Sequence, residues 1–329
     1  MSAKFKLTAK FCLVFMLVST LIACEQQDHE KLVLRVGHSL DSQHSVHKAL
    51  MYMSERLVKY SHGTMSLKIY PSGQLGSERE MIELLQIGSL AMTKVSASPL
   101  EGFVPAMKVF SVPYIFRGNE HYWNVLNSEV GNLLLSELTP YRLHGLGYFD
   151  AGSRSFYTTE RPIYTPDDLT GLKIRVLNSP TAVEMIRTLG AAATPVSWGE
   201  LYTALQQGVV DGAENNPPSY YLSRHYEIAN YLTLDEHTSV PDIVLCSKRI
   251  WDSLTTEQKK WLSMAMKDAT DFQRKLWQSS TKASLEEVKS AGVEVIFPDK
   301  TVFARKVAPM HRELEGTPVG DILKRIEAM

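Results

Sequence analysis

Leu32-Val33-Leu34-Arg35-Val36-Gly37 is a short apolar run, and the pattern that follows it decides the fold. Helical periodicity starts near Ser45 and continues to Tyr60, where the turn at Gly63 stops it; Ser66 to Tyr70 then reads as a strand. Pro71-Ser72-Gly73 breaks that strand. Ser77-Glu78-Arg79-Glu80 has the spacing of a capping box, in which the serine hydroxyl and the second glutamate each satisfy a backbone N–H, so a helix is predicted through Leu85. Met92 to Val95 is strand-like again. Strands alternating with helices in this way indicate an α/β fold.

The same alternation continues outward. Arg142 to Phe149 and Ser155 to Thr159 read as strands on either side of Gly152-Ser153-Arg154, and Lys173 to Val176 reads as a short strand before a helix at Pro180. This order predicts mixed sheets rather than strictly parallel ones. Thr255-Thr256-Glu257-Gln258 is a second capping box. From there, helical periodicity runs through Trp261, Met264, Ala265, Phe272, Leu276 and Trp277 to Val288, and Gly292 ends it. A helix of that length measures about 50 Å at 1.5 Å per residue, longer than a small domain is wide, so it is predicted to span two lobes. The alternative is a pair of helices broken near Ser279-Ser280.

Upstream, Lys4, Lys6 and Lys10 precede an unbroken apolar run from Phe11 to Val18, and Leu21-Ile22-Ala23-Cys24 resembles a lipobox. That is the layout of a secretory signal, and the run falls short of the roughly 20 residues a membrane span needs. Residues 1–23 are therefore expected to be removed, leaving Cys24 to carry acyl chains at a membrane face and residues 24–31 as a polar tether. Loss of three lysines and no acids moves the formal charge from -1 to -4, which argues against a nucleic-acid partner. With Cys12 removed and Cys24 acylated, only Cys246 remains, so no internal disulfide is possible; its apolar neighbours Ile243-Val244-Leu245 place it in the core. The 329-residue chain less its first 23 exceeds what one core usually fills, so two lobes are the default.

No GxSxG, HExxH, P-loop or GxGxxG pattern occurs. His44 and His47 lack a third ligand at recognisable spacing, so no metal site is expected and both read as helix-surface residues. His38 ends the first apolar run, where open α/β sheets place ligand contacts, though a histidine bonded to a nearby carbonyl reads the same way. Arg175 lies inside Leu172-Lys173-Ile174-Arg175-Val176, and Arg154 follows Gly152-Ser153. A guanidinium on rigid backbone suits planar recognition of a carboxylate; the competing reading is a bridge to Asp150, Asp167 or Asp168. Asp211-Gly212-Ala213-Glu214-Asn215-Asn216-Pro217-Pro218 supplies hydroxyl partners in Glu214 and Asn215, or simply a turn and a helix cap.

Three segments in order carry a resemblance: Tyr70-Pro71-Ser72-Gly73-Gln74-Leu75-Gly76; Pro166-Asp167-Asp168-Leu169 with Gly171-Leu172-Lys173-Ile174-Arg175-Val176; and Leu205-Gln206-Gln207-Gly208-Val209-Val210-Asp211-Gly212-Ala213-Glu214-Asn215. With the long helix after them, they resemble the solute-binding proteins of tripartite ATP-independent periplasmic (TRAP) transporters, the DctP family, over essentially the whole mature chain.

The resemblance implies two α/β lobes of periplasmic-binding-protein type, joined by crossing strands and closing like a hinge. It divides the chain into lobe I (32–151 and 240–280) and lobe II (152–239 and 281–329). It implies that Arg175 pairs with a ligand carboxylate, and that Arg154, Asn215 and Trp198 in Thr194-Pro195-Val196-Ser197-Trp198 join it. Family members that bind sialate carry a Glu and an Arg in the loop that here reads Val95-Ser96-Ala97-Ser98-Pro99, so smaller hydroxylated acids are implied instead. Asn215-Asn216-Pro217-Pro218, Ser223-Arg224-His225-Tyr226-Glu227 and Asp235-Glu236-His237-Thr238 resemble members that bind hexuronates such as glucuronate and galacturonate. Such a ligand offers one carboxylate and several hydroxyls, for which Glu78, Ser96, Asn215, Glu214, His237 and Asp242 are the candidate partners.

The implied protein is a periplasmic monomer without a cofactor. It hands an organic acid, a hexuronate first or alternatively a C4-dicarboxylate, another sugar acid or a keto acid, to small and large membrane permease subunits. A rival reading is an extracytoplasmic enzyme acting on uronates, for which His38 with Glu78 is the only acid-base pair to nominate. Another is an adhesion lipoprotein with no pocket.

Overall fold

A computed structural model describes residues 31–329; the signal segment and Cys24 lie outside the described residues. Among the described residues eleven strands form two mixed sheets. The first has the order β2-β1-β3-β10-β4, from β1 (Leu32–Gly37), β2 (Met65–Tyr70), β3 (Met92–Ser96), β4 (Leu143–Phe149) and β10 (Asp242–Ser247). The second has the order β11-β9-β5-β8-β6-β7, from β5 (Arg154–Thr158), β6 (Lys173–Val176), β7 (Ala192–Pro195), β8 (Gly212–Asn215), β9 (Tyr231–Thr238) and β11 (Glu294–Ile296). Within the sheets β1 runs parallel to β3, and β6 runs parallel to β7 and β8, while β10 and β5 lie antiparallel to both of their neighbours.

Among the described residues the chain passes between the sheets three times: from β4 to β5 through Asp150–Ser153, from β9 to β10 through Ser239–Pro241, and from β10 to β11 by way of a long helix. At the first crossing Gly152 has φ +57°, and a Cβ there would stand 3.0 Å from Trp277 Nε1, so two constraints call for glycine. The crossing is pinned by Gln273, whose amide accepts from Asp150 N and donates to Asp150 O, both at 2.8 Å.

Helix α1 (Ser45–Tyr60) covers the first sheet and α2 (Glu78–Ile87) follows β2. The α2 capping box forms as the spacing predicts, with Ser77 Oγ and Glu80 as the reciprocal pair. Helices α3 (Pro180–Leu189) and α4 (Pro217–Leu222) belong to the second sheet. The predicted long helix is unbroken: α5 (Thr256–Ser290) has 35 residues, capped by Thr255 and Gln258, and packs on α1 at one end and α4 at the other. No break occurs at Ser279-Ser280. Cys246 is buried in β10, and burial pushes its thiol up to about 12, the state of an inert core residue.

One domain boundary needs correction. Of residues 281–329, expected in lobe II, α6 (Lys300–Arg312) packs Phe303, Val307 and Met310 with Phe156 and Ile174 of the second sheet. The helix α7 (Pro318–Glu327) packs elsewhere. Leu314, Leu323 and Ile326 enter the first sheet's core with Phe110, Leu143 and Ile243, and His121 Nε2 sits 3.0 Å from Ile326 O. The one-sided apolar stripe of α7 must be buried, and Leu323 and Ile326 bury it in the first sheet's core.

Candidate functional site

A cavity of about 640 Å³ opens between the two sheets, a size suited to one small guest. Its walls come from strand ends. Asp242, the first residue of β10, pairs in register with Ser96, the last of β3, so both face the cavity from the first sheet. From the second sheet come Arg175 near the carboxyl end of β6, Asn215 at the end of β8 and Arg154 at the start of β5. Ligand contacts in open α/β sheets gather at such ends.

Arg175 is almost completely buried. Its Nε donates to Val196 O at 2.8 Å, and its guanidinium lies 5.7 Å from the Trp198 ring centre. Nη1 is buried without a hydrogen-bond partner. Burial lowers the pKa of the group, so the scaffold holds this cation at a cost rather than compensating it. Lys173, two residues earlier in β6, is exposed and its Nζ donates to Gly208 O at 3.0 Å.

Arg154 has a different fate. It does not bridge to Asp150, Asp167 or Asp168. Its Nε meets Glu214 Oε2, its Nη2 donates to Glu214 Oε1 at 2.9 Å and Glu214 O at 2.6 Å, and its Nη1 donates to Asn215 Oδ1 at 3.1 Å. Burial alone would lift the Glu214 carboxyl, but Arg154 and His237 hold it down at about 2. His237 in turn has Nδ1 2.8 Å from Asp235 Oδ2 and Nε2 3.5 Å from Glu214 Oε2. Burial would lower its pKa, yet those two carboxylates carry it up to about 9. The result is a buried chain of alternating charge beneath Arg154.

On the opposite wall Glu78 opens α2 and accepts from Ser96 N at 3.1 Å. Lys94 Nζ lies 3.0 Å from Asp242 Oδ1 and 3.6 Å from Glu78 Oε1, with all three side chains mostly buried. Burial raises the Glu78 carboxyl above the ordinary carboxylate range. His44 also faces the cavity: it caps α1, its Nδ1 accepts from Val46 N at 3.2 Å, and its Nε2 lies 3.4 Å from Ser219 Oγ of α4. Burial and then Lys94 hold it at about 3, so it is neutral, and the Nδ1 contact leaves the proton on Nε2.

Of the sequence-predicted residues, Arg175, Arg154, Asn215, Glu78, Ser96, Trp198 and Asp242 line this cavity together. His38, Glu214 and His237 do not. His38 Nε2 is committed to His47 Nδ1 at 3.0 Å, and its Nδ1 accepts from Leu40 N; Glu214 and His237 lie behind Arg154 as its support. The reading of His44 as a surface residue is corrected by its buried cap. Lys94 is the main residue the sequence reading missed, although a lysine between Met92-Thr93 and Val95 in a buried strand signals a paired cation.

Residues 36–317 match the family described as DctP, bacterial extracellular solute-binding protein, family 7. The chain belongs to the DctP family. Members of this family are extracytoplasmic, bind organic acids and work with the permease subunits of TRAP transporters. Among solved structures, the DctP chain is similar to a TRAP periplasmic solute-binding protein from Xanthobacter autotrophicus Py2 with bound β-D-galacturonate. Identity is 39%, the TM-score 0.87, and the match covers 90% of this chain and 99% of that one. A second, from Pseudomonas putida F1 with bound D-glucuronate, is 36% identical with a TM-score of 0.87 over 91% and 97% of the two chains. The C4-dicarboxylate-binding periplasmic protein DctP of Rhodobacter capsulatus is 29% identical over 87% of each chain. Among the described residues no helix is long and apolar enough to cross a membrane.

Proposed function

We propose that this DctP protein captures a hexuronate, galacturonate or glucuronate, and delivers it to the permease pair without chemical change. The observation that carries the reading is the buried Arg175 guanidinium, with Nη1 unpartnered, in a cavity otherwise rich in hydroxyl partners. A sugar carboxylate supplies the missing acceptors. Glu78, Asp242, Ser96, Asn215 and the His44 Nε2–H then offer both acceptors and donors to the ring hydroxyls. The similar structures with bound galacturonate and glucuronate support this guest class.

In the proposed mechanism the ligand bridges the two sheets' walls, closure excludes water, and charge-assisted bonds strengthen as the local dielectric falls. The crossings at Asp150–Ser153 and Ser239–Pro241 serve as the hinge between lobes, with α5 as the spanning strut. The protein acts as a monomer, and acylated Cys24 tethers it to a membrane face.

Calorimetric titration of the mature protein with galacturonate, glucuronate, gluconate, succinate and 2-oxoglutarate tests the guest. The expected order places the two hexuronates first; succinate or 2-oxoglutarate binding more tightly refutes it. Mass analysis of each hexuronate after prolonged incubation is expected to return it unchanged, and a new product would establish the enzyme reading. A Cys24→Ser full chain is expected to leave the membrane fraction, and its retention there refutes the anchor.

A further inference from the structure

Four cationic side chains line the cavity among the described residues: Arg79, Lys94, Arg154 and Arg175. Three are matched by acids of the protein itself. Arg79 lies at the exposed rim on Glu83 at 3.2 Å, Lys94 lies between Glu78 and Asp242, and Arg154 lies on Glu214. Arg175 alone of the four has no carboxylate within ion-pair reach among the described residues. The site therefore holds one unmatched positive charge, enough for one anionic group of a guest.

The acids tell the complementary story. Glu80 is consumed by the α2 cap, where Oε2 accepts from Ser77 N at 2.7 Å and Ser77 Oγ at 2.8 Å. Glu78 and Asp242 share a single ammonium, so with both ionised the Glu78–Lys94–Asp242 cluster carries one net negative charge. No described residue donates a hydrogen bond to Glu78 Oε2 or Asp242 Oδ2, which leaves acceptors for a guest's hydroxyls. A second carboxylate has no proton to offer them at neutral pH and brings like charge into a poorly solvated wall.

We infer that Lys94, Glu78 and Asp242 form a charge filter that admits polyhydroxylated monocarboxylic acids and rejects acids carrying a second carboxylate. The inference rests on the reading of this cavity as a sugar-acid site and narrows its substrate class. Specificity here comes from a repulsive element facing the attractive one. Lys94 is the positioning residue: it holds two carboxylates side by side, near enough to the guest to read its far end, while preventing their mutual repulsion from opening the wall.

The test compares acids that differ at one terminus. Gluconate and glucarate have the same hydroxyl pattern and differ by a terminal CH₂OH against a carboxylate; erythronate and meso-tartrate form a second such pair, galactonate and galactarate a third. Titration of the wild-type protein at pH 7.5 is expected to favour the monoacid of each pair that binds by about 100-fold or more. The variants Glu78→Gln and Asp242→Asn each remove the net charge, and are expected to narrow that preference by about tenfold or more through tighter diacid binding. Because the readout is a ratio between two ligands on one protein, general loss of fold or affinity does not move it, and the wild-type comparison stands even if one variant fails to fold.

A wild-type preference under about threefold overturns the filter, as does a preference that persists unchanged in both variants. If neither hexuronate binds while erythronate still binds far better than meso-tartrate, the hexuronate reading falls and the filter stands. If the hexuronates bind and galactarate matches them, the filter falls and the hexuronate reading stands. Failure of every acid to bind overturns both.

Discussion

Replacing Arg175 and Arg154 in turn by methionine separates ligand capture from scaffold. Each side chain is a buried arginine lining the same cavity, yet their surroundings predict opposite responses. In Arg175→Met the ligand carboxylate loses its guanidinium in a site closed to water. Truncating one partner of a buried charged pair costs about 2–5 kcal/mol, so Kd should rise by roughly 30-fold to several-thousand-fold. The unliganded protein loses one bond to Val196 O, worth about 1 kcal/mol, and is relieved of a cation whose pKa burial already depresses. Its stability should therefore stay within about 1 kcal/mol of wild type.

Arg154→Met removes every bond from the guanidinium to Glu214 and Asn215 and leaves Glu214 buried beside His237 alone. Breaking a buried pair in that way costs about 3–5 kcal/mol, which lowers the melting point of a chain this size by roughly 10 °C. Scanning calorimetry on the unliganded proteins, with isothermal titration of galacturonate, reads both quantities. The reasoning fails if Arg175→Met melts about 10 °C low while keeping its affinity, because Arg175 would then be scaffold and the clamp misassigned.

Three further outcomes follow from the same geometry. His237 titrates near 9 in the fold against an ordinary value of about 6.5, so its stabilising contribution is present below 6.5 and lost as pH rises through 9, on the order of 3 kcal/mol in total. His237→Gln is expected to flatten the fall in melting point between pH 7 and 9, and an unchanged slope would contradict the charge chain. Glu101, next to the first sheet's Ala97–Leu100 turn, accepts from Ser179 Oγ and Thr181 Oγ1, both at 2.6 Å, at the N-terminus of α3. Glu101→Gln loses a charged bridge across the cleft and should weaken ligand binding by about tenfold to a hundredfold while leaving the unliganded melting point in place; equal affinity refutes a role in closure. Gly152→Ala forces a side chain into left-handed backbone beside Trp277, and denaturant unfolding should report a loss of about 1–2 kcal/mol or more.

What the sequence disclosed depended on whether the signal was local. The two capping boxes, the bounds of α1 and the unbroken α5 were legible because a cap or a 3.6-residue period is written in adjacent residues. Cys246 was legible as core for the same reason. Arg154's partner was not, because Glu214 lies 60 positions away and only the pairing of β5 with β8 brings them together. The resemblance offered His237 as a hydroxyl partner, but Asp235 two residues earlier lies 2.8 Å from its Nδ1 and Glu214 across the sheet lies 3.5 Å from its Nε2. The return of α7 to the first sheet escaped notice because an apolar stripe states that a helix must pack and leaves open against which core.

The two walls of the cavity together explain why its arginines differ. Beneath Arg154 the order is arginine, Glu214, His237, Asp235; with the imidazole protonated, the charges alternate and cancel within the protein. That chain presents Asn215 at the surface of the cavity and carries no net charge. Arg175 has no such counter-charge, while the wall bearing Glu78, Lys94 and Asp242 is negative by one when both carboxylates are ionised. The field across the cavity is therefore polar along one line, positive at β6 and negative at the junction of β3 and β10. A guest with its carboxylate at one end and hydroxyls at the other fits that field in one orientation only; turned around, it sets its charge against the acids and leaves Arg175 unmatched. Orientation and charge selection are thus one property of the site, and neutralising Asp242 should loosen both together.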